Sequence, residues 1–119
     1  KKNKKGDLEF DLPTKVIDMN SKKDFGRYAD KDGSLHVNFL TDNDITGGNS
    51  GSPVLNGKGE LIGLAFDGNI EAMAGDVIFD QKLQRTINVD IRYVLFIVDK
   101  FAGATNIIKE LKLVSKTKR

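Results

Sequence analysis

The chain has 119 residues, 39% hydrophobic and 30% charged, with 12 glycines and two prolines, which excludes collagen-like, low-complexity and wholly disordered chains. No cysteine and one histidine, His36, exclude a disulfide framework, thiol catalysis and multi-histidine metal centres, so no metal or other cofactor is expected. The net charge is +2, but seven of the 19 basic residues lie in the tails at 1–5 and 115–119, leaving the body twelve against all 17 acids. An acidic body has the wrong sign for reading a phosphate backbone, so nucleic acid is excluded as a partner. The longest apolar run, residues 93–98, is far shorter than the roughly 18 residues of a membrane helix, and no signal peptide opens the chain.

In chain order, residues 1–7 are expected to be a disordered tail, as are residues 115–119. A first strand is expected around residues 15–19, where Val16 and Ile17 are β-branched. Asp30-Lys-Asp-Gly33 is turn chemistry and leads into Leu35-His-Val-Asn-Phe39, whose alternation predicts a half-buried strand with Leu35, Val37 and Phe39 inward. Next come a glycine-rich stretch at 46–53 and then a hairpin, with Pro53-Val-Leu-Asn56 and Glu60–Phe66 as strands around Gly57-Lys-Gly59. Val77-Ile-Phe79 and residues 85–89 are further candidate strands.

The period changes at Asp90. Ile91, Val94, Leu95, Val98 and Phe101 recur at helical spacing, with Asp90 as N-cap and Gly103 just past the end. A second helix is expected from Thr105 as cap, presenting Ile107, Ile108 and Leu111. Short strands with glycine-rich turns favour a small barrel over an open sheet. The chain therefore reads as one mostly β unit, a β-barrel half over 8–89 closed by one or two helices over 90–114.

Chemistry concentrates in Gly48-Asn-Ser-Gly-Ser-Pro53. Acyl transfer by serine needs a hydroxyl held at a sharp turn, with backbone amides converging on the developing oxyanion. Glycines on both sides of Ser50 permit that curl, and the amides of Gly48 and Ser50 would then form the oxyanion hole. Taken alone, a G-x-S-G match is equally a glycine-rich hairpin loop with no chemistry.

The wider string Thr46-Gly-Gly-Asn-Ser-Gly-Ser-Pro-Val54, followed by Leu61-Ile-Gly-Leu64, resembles the nucleophile region of chymotrypsin-fold serine peptidases. Asn49 departs from the trypsin pattern, which has aspartate there. Glutamyl endopeptidases share the Gly-Asn-Ser-Gly-Ser-Pro string but carry a histidine on the following strand, and Gly63-Leu-Ala-Phe66 has none. The closer resemblance is to the bacterial dipeptidyl-peptidase family typified by dipeptidyl-peptidases seven and eleven. It rests on Asp44–Val54, on Gly63-Leu-Ala-Phe-Asp-Gly-Asn69 and on Val89-Asp-Ile-Arg-Tyr-Val-Leu-Phe-Ile-Val-Asp-Lys-Phe-Ala-Gly103, with residues 1–43 matching only loosely.

This resemblance implies the second β-barrel half of a chymotrypsin-like double barrel, taken from an enzyme that releases dipeptides from free N-termini of a peptide substrate. It implies Ser50 as nucleophile, Gly48 with the Ser50 amide as oxyanion hole, and Asp67 as binder of the substrate amino terminus. Gly68 lines the pocket for the residue before the scissile bond, where glycine favours apolar side chains and arginine selects Asp or Glu; the likeness is thus closer to dipeptidyl-peptidase seven. The catalytic histidine and aspartate belong to upstream domains, so the chain reads as a C-terminal fragment that is inactive alone. The resemblance also implies a periplasmic or cell-surface homodimer. His36 is expected on the strand face opposite Leu35, Val37 and Phe39, outside the catalytic machinery. Asp44, Asp90, Arg92 and Asp99 are expected to serve as caps, loop anchors or ion pairs. The alternatives are a trypsin-like or glutamyl-type endopeptidase half, and a non-catalytic binding module that kept the loop.

Overall fold

Residues 3–74 and 82–114 are described by the structure, a computed structural model. Four strands form one antiparallel sheet in the order β1-β4-β3-β2: β1 is Asn38–Thr41, β2 Pro53–Leu55, β3 Leu61–Gly68 and β4 Thr86–Asp90. The β2–β3 hairpin forms where the sequence predicts it. Asn56 Oδ1 accepts the amides of Lys58 and Glu60, and Gly59 takes φ +76° to close the turn. The strand expected at 85–89 is β4, one residue later. The strand expected at 77–79 lies outside the described residues. Among the described residues the sheet is open. Its edges, β1 and β2, stand on opposite sides, and a barrel closes only when edge strands pair with each other.

The expected strand at 15–19 is instead a helix, α1, Thr14–Ser21. Pro13 supplies a helix-compatible φ at its start, and its carbonyl accepts the amides of Val16 and Ile17. The helical turn sends Met19 into the core, which outweighs the β preference of the Val16–Ile17 pair. Residues 3–7 are not a loose tail either: Lys4 donates its amide to Phe10 O at 2.8 Å, and Gly6 to Asp11 Oδ2 at 2.8 Å. The expected strand at 35–39 starts only at Asn38. Leu35 packs on the helical core, Val37 is exposed, and the Val37 carbonyl accepts the Asp90 amide (2.9 Å). Phe39 alone keeps its expected inward place on the sheet, its ring lying where a side chain at Gly63 would stand.

Helix α2, Ile91–Phe96, is capped by Asp90, whose Oδ1 accepts the Arg92 amide at 2.8 Å. It runs into a π-helical turn, Ile97–Phe101, and ends at Gly103 with φ +69°. The wider turn takes Val98 and Phe101 out of the register that a regular helix would give them. Phe96 is the buried residue, meeting Phe25 edge-on at 5.8 Å, while Tyr93, Leu95 and Ile97 flank it. Helix α3, Thr105–Glu110, starts at Thr105 with no side-chain cap, and Ile107 and Leu111 are exposed rather than packed.

The apolar core of Met19, Phe25, Tyr28 and Phe96 thus belongs to the helices, not to the sheet. Along β4 the buried positions are polar: Thr86, Asn88 and Asp90. Asn88 Nδ2 donates to Thr41 Oγ1 at 2.8 Å, and Thr86 Oγ1 donates to Asn43 O at 2.7 Å, which ties the segment after β1 onto the sheet. The accessible surface is 9390 Å². A folded monomer of this mass exposes about 6400 Å², and among the described residues large apolar side chains stay exposed, including Leu40, Phe66 and Ile70.

Tyr28 lies against this core and donates its hydroxyl to Asp99 Oδ2 at 2.7 Å. Burial, then the Asp99 carboxylate, push its pKa up to about 12 from 10.0. The folded phenol holds its proton more tightly than the unfolded one. Its contribution to stability is therefore intact below about pH 10 and fades as the pH rises toward 12. With Tyr93→Phe the remaining tyrosine of the chain should ionise near pH 12 in an absorbance titration, and Asp99→Asn should bring it down. Ionisation near 10 in the folded chain would contradict this environment.

A candidate active site at the serine loop

The loop between β1 and β2 is shaped by its own polar side chains. Asp44 Oδ1 accepts the Ile45 amide (2.9 Å), and Asn49 Oδ1 accepts the Thr46 amide (2.8 Å) and hydroxyl (3.3 Å). The Asn49 amide returns to Thr46 O, and the Ser52 amide to Asn49 O. Gly48 and Gly51 take φ +92° and +87°, a left-handed backbone that a side chain would strain. Gly51 N then bonds Ala65 O at 2.7 Å and Ala65 N bonds Ser52 O at 2.8 Å, stitching the loop to β3.

Ser50 stands exposed at the crest, its hydroxyl donating to Phe66 O at 3.3 Å. That carbonyl is presented by a β-bulge. Ala65 pairs with Asn88 but the next pair is Asp67 with Ile87, so Phe66 is the extra residue. A bulge bends its strand and re-aims the side chain that follows. Here it places Asp67 on the sheet face of Ile87 and at the rim of a cleft of about 260 Å³, shared by Ser50, Thr46, Ile45, Gly68 and Ala72. One Asp67 oxygen accepts the Gly68 amide (2.8 Å) and, among the described residues, the other has no partner. Neither the Gly48 amide nor the Ser50 amide has an acceptor among the described residues.

The structure therefore brings Ser50, Asp67 and Gly68 to one cleft, with Gly48 two residues before the serine. His36 is not there. Its Nε2 lies 3.7 Å from Asp30 Oδ2, on a cluster where Arg92 grips Asp90 through two oxygens and reaches Asp30 at 3.0 Å. The Lys31 amide and then the Arg92 guanidinium hold the Asp30 carboxyl below the usual carboxylate range. Asp44, Asp90 and Asp99 cap or anchor as expected.

Sequence reading passed over three contributors. Asn49 is the loop's internal clamp, and the Thr-x-x-Asn spacing carries that signal. The Phe66 bulge has no signal in the residues. Ala72, on a 3-10 segment at Ile70–Ala74, forms a wall that only the tertiary fold brings to Gly68.

The Peptidase S46 family model matches residues 1–113, so the likeness extends through the N-terminal third as well as the serine loop. Dipeptidyl-peptidase 7 of Capnocytophaga gingivalis is 73% identical over 113 residues, covering 95% of this chain and 16% of that protein. The Asp/Glu-specific dipeptidyl-peptidase of the same organism is 52% identical over 109 residues, covering 92% of this chain and 15% of that protein. The crystal structure of Porphyromonas endodontalis DPP11 in complex with the dipeptide Arg-Glu superposes with a TM-score of 0.88 at 48% identity, over 92% of this chain and 16% of that one. The chain spans about one sixth of the length of these relatives. Such agreement, from the N-terminal turn through Gly103 to the end of the last helix, makes the chain a member of the Peptidase S46 family.

Proposed function

We propose that this chain carries the nucleophile and the amino-terminus pocket of a serine dipeptidyl-peptidase, one that releases dipeptides with an apolar second residue from free N-termini. The observation that carries this reading is the Ser50 hydroxyl, exposed in a cleft beside two backbone amides that have no acceptor among the described residues. Ser50 Oγ attacks the carbonyl carbon of the second residue, and the amides of Gly48 and Ser50 receive the oxyanion, each such donor supplying roughly 10²–10³ in rate. The proton of Ser50 passes through a base to the departing amine, and water then cleaves the ester. The base is a histidine, oriented by an aspartate, from polypeptide outside this chain. The four-stranded sheet with its hairpin and serine loop supports reading these strands as part of one half of a chymotrypsin-like double barrel.

Asp67 supplies the exopeptidase rule. Its open oxygen at the cleft rim accepts the substrate ammonium in a charge-assisted bond, which fixes the cut two residues in. Gly68 leaves the neighbouring wall without charge, where an unpaired Asp or Glu side chain would lose hydration at a cost of several kcal/mol.

The longer polypeptide that contains this chain tests the reading. A fluorophosphonate should label Ser50, and free-amino dipeptidyl amides should be cut while their N-acetylated forms are not. Asp67→Ala should weaken every free-amino substrate by roughly tenfold or more, whatever its second residue. Efficient cleavage of blocked internal peptides would mean an endopeptidase. A Ser50 that does not react would mean a binding module.

A further inference from the structure

The cleft wall at Gly68 is closed. A Cβ built on Gly68 would lie 2.8 Å from Ala72 Cβ and 3.6 Å from Ile45 Cγ2. The first distance is shorter than two carbons adopt unless one of them moves, so position 68 has no spare room for even a methyl group. Ala72 lines the same cleft as Ser50 and Asp67. Its backbone has little freedom to retreat. The Ala72 amide bonds Asn69 O at 2.9 Å, and Asn69 is clamped to the segment before β4 three times. Asn69 N donates to Arg85 O (3.0 Å), Asn69 Oδ1 accepts the Arg85 amide (2.8 Å), and Asn69 Nδ2 donates to Leu83 O (2.8 Å).

We propose that Ala72 is a second specificity-determining residue, which together with Gly68 sets the width of the pocket for the side chain before the scissile bond. This rests on the dipeptidyl-peptidase reading above. Residues 68 and 72 share one space, and the Asn69 clamp keeps that space constant. A longer side chain at 72 narrows the pocket with Gly68 untouched. Any side chain at 68 needs residue 72 to shrink or the Ile70–Ala74 segment to shift. The inversion of preference expected from an arginine at position 68 therefore depends on residue 72.

The test compares two free-amino dipeptidyl amides, with Ala or with Leu before the scissile bond, in the longer polypeptide. Ala72→Val should lower kcat/KM for Leu relative to Ala by roughly tenfold or more, the discrimination that one or two methylenes carry in an apolar pocket. Gly68→Ala should lower the same ratio, and adding Ala72→Gly to it should restore most of the loss. Gly68→Arg should gain Asp and Glu substrates more fully with Ala72→Gly than without. The Leu/Ala ratio is the deciding readout, because a merely structural defect lowers both substrates together. A wild type active on both substrates but with a ratio unmoved by Ala72→Val, or a double variant no better than Gly68→Ala, overturns the inference alone. A wild type silent on both overturns the dipeptidyl reading and the inference with it.

Discussion

Expressed alone, the 119-residue chain should hydrolyse no dipeptidyl substrate, whereas the longer polypeptide should turn over. Serine is a weak nucleophile without a base in hydrogen-bond reach, and nucleophile and base act as a unit, so losing either removes about 10⁶ in rate. The hydroxyl of Ser50 donates to the Phe66 carbonyl, which cannot take its proton. The one imidazole in the chain, on His36, sits with Asp30 and Arg92 and does not line the serine cleft. In the longer polypeptide, His36→Ala should therefore leave kcat/KM within about twofold, while Ser50→Ala should abolish turnover. Turnover by the isolated chain that His36→Ala removes would reverse the assignment of both residues.

Gly63→Ala should be the most damaging small substitution in the sheet. A Cβ there would stand 2.6 Å from Val89 O and 2.7 Å from the Phe39 ring. The ring can turn aside, but the carbonyl belongs to the paired backbone of β4, opposite Leu64. Relief requires β3 and β4 to part, so the cost should reach roughly 3 kcal/mol, the upper end of what overpacking a core site costs. Gly57→Ala, in the hairpin turn with nothing within 4 Å, should instead change stability by less than about 1 kcal/mol. Urea midpoints separate the two. Adding Phe39→Leu to Gly63→Ala should recover only the ring's share of the loss. Equal midpoints for Gly63→Ala and Gly57→Ala would mean that the close approach of β3 and β4 is wrong.

The parts of the fold that were legible in the sequence are those decided by neighbours along the chain. The β2–β3 hairpin follows from Asn56 and Gly59, whose turn geometry needs nothing distant. The same holds for the Asp90 cap and the Gly103 stop of the C-terminal helix. The serine loop belongs to this class too: Asn49, Gly48 and Gly51 carry its shape, so the string itself carries the family likeness.

Other features were decided by contacts that no local rule contains. Val16 and Ile17 suit a strand, yet Met19 reaches Phe25, Tyr28 and Phe96 only from a helix, and burial in that cluster outweighs a propensity worth tenths of a kcal/mol. Periodicity puts Ile91, Val94 and Leu95 on the inner face of α2, yet packing against Met19, Phe25 and Tyr28 makes Phe96 its buried residue. The bulge at Phe66 is visible only in the pairing of β3 with β4, and without it Asp67 would face the other side of the sheet. Ala72 meets Gly68 because Asn69 is bonded to the approach of β4, sixteen residues further along the chain. The sequence by itself determined the serine loop, because that loop is held by its own side chains. Only the tertiary structure decided what faces Ser50, because the walls of the cleft come from strands whose register and burial are set by the rest of the molecule.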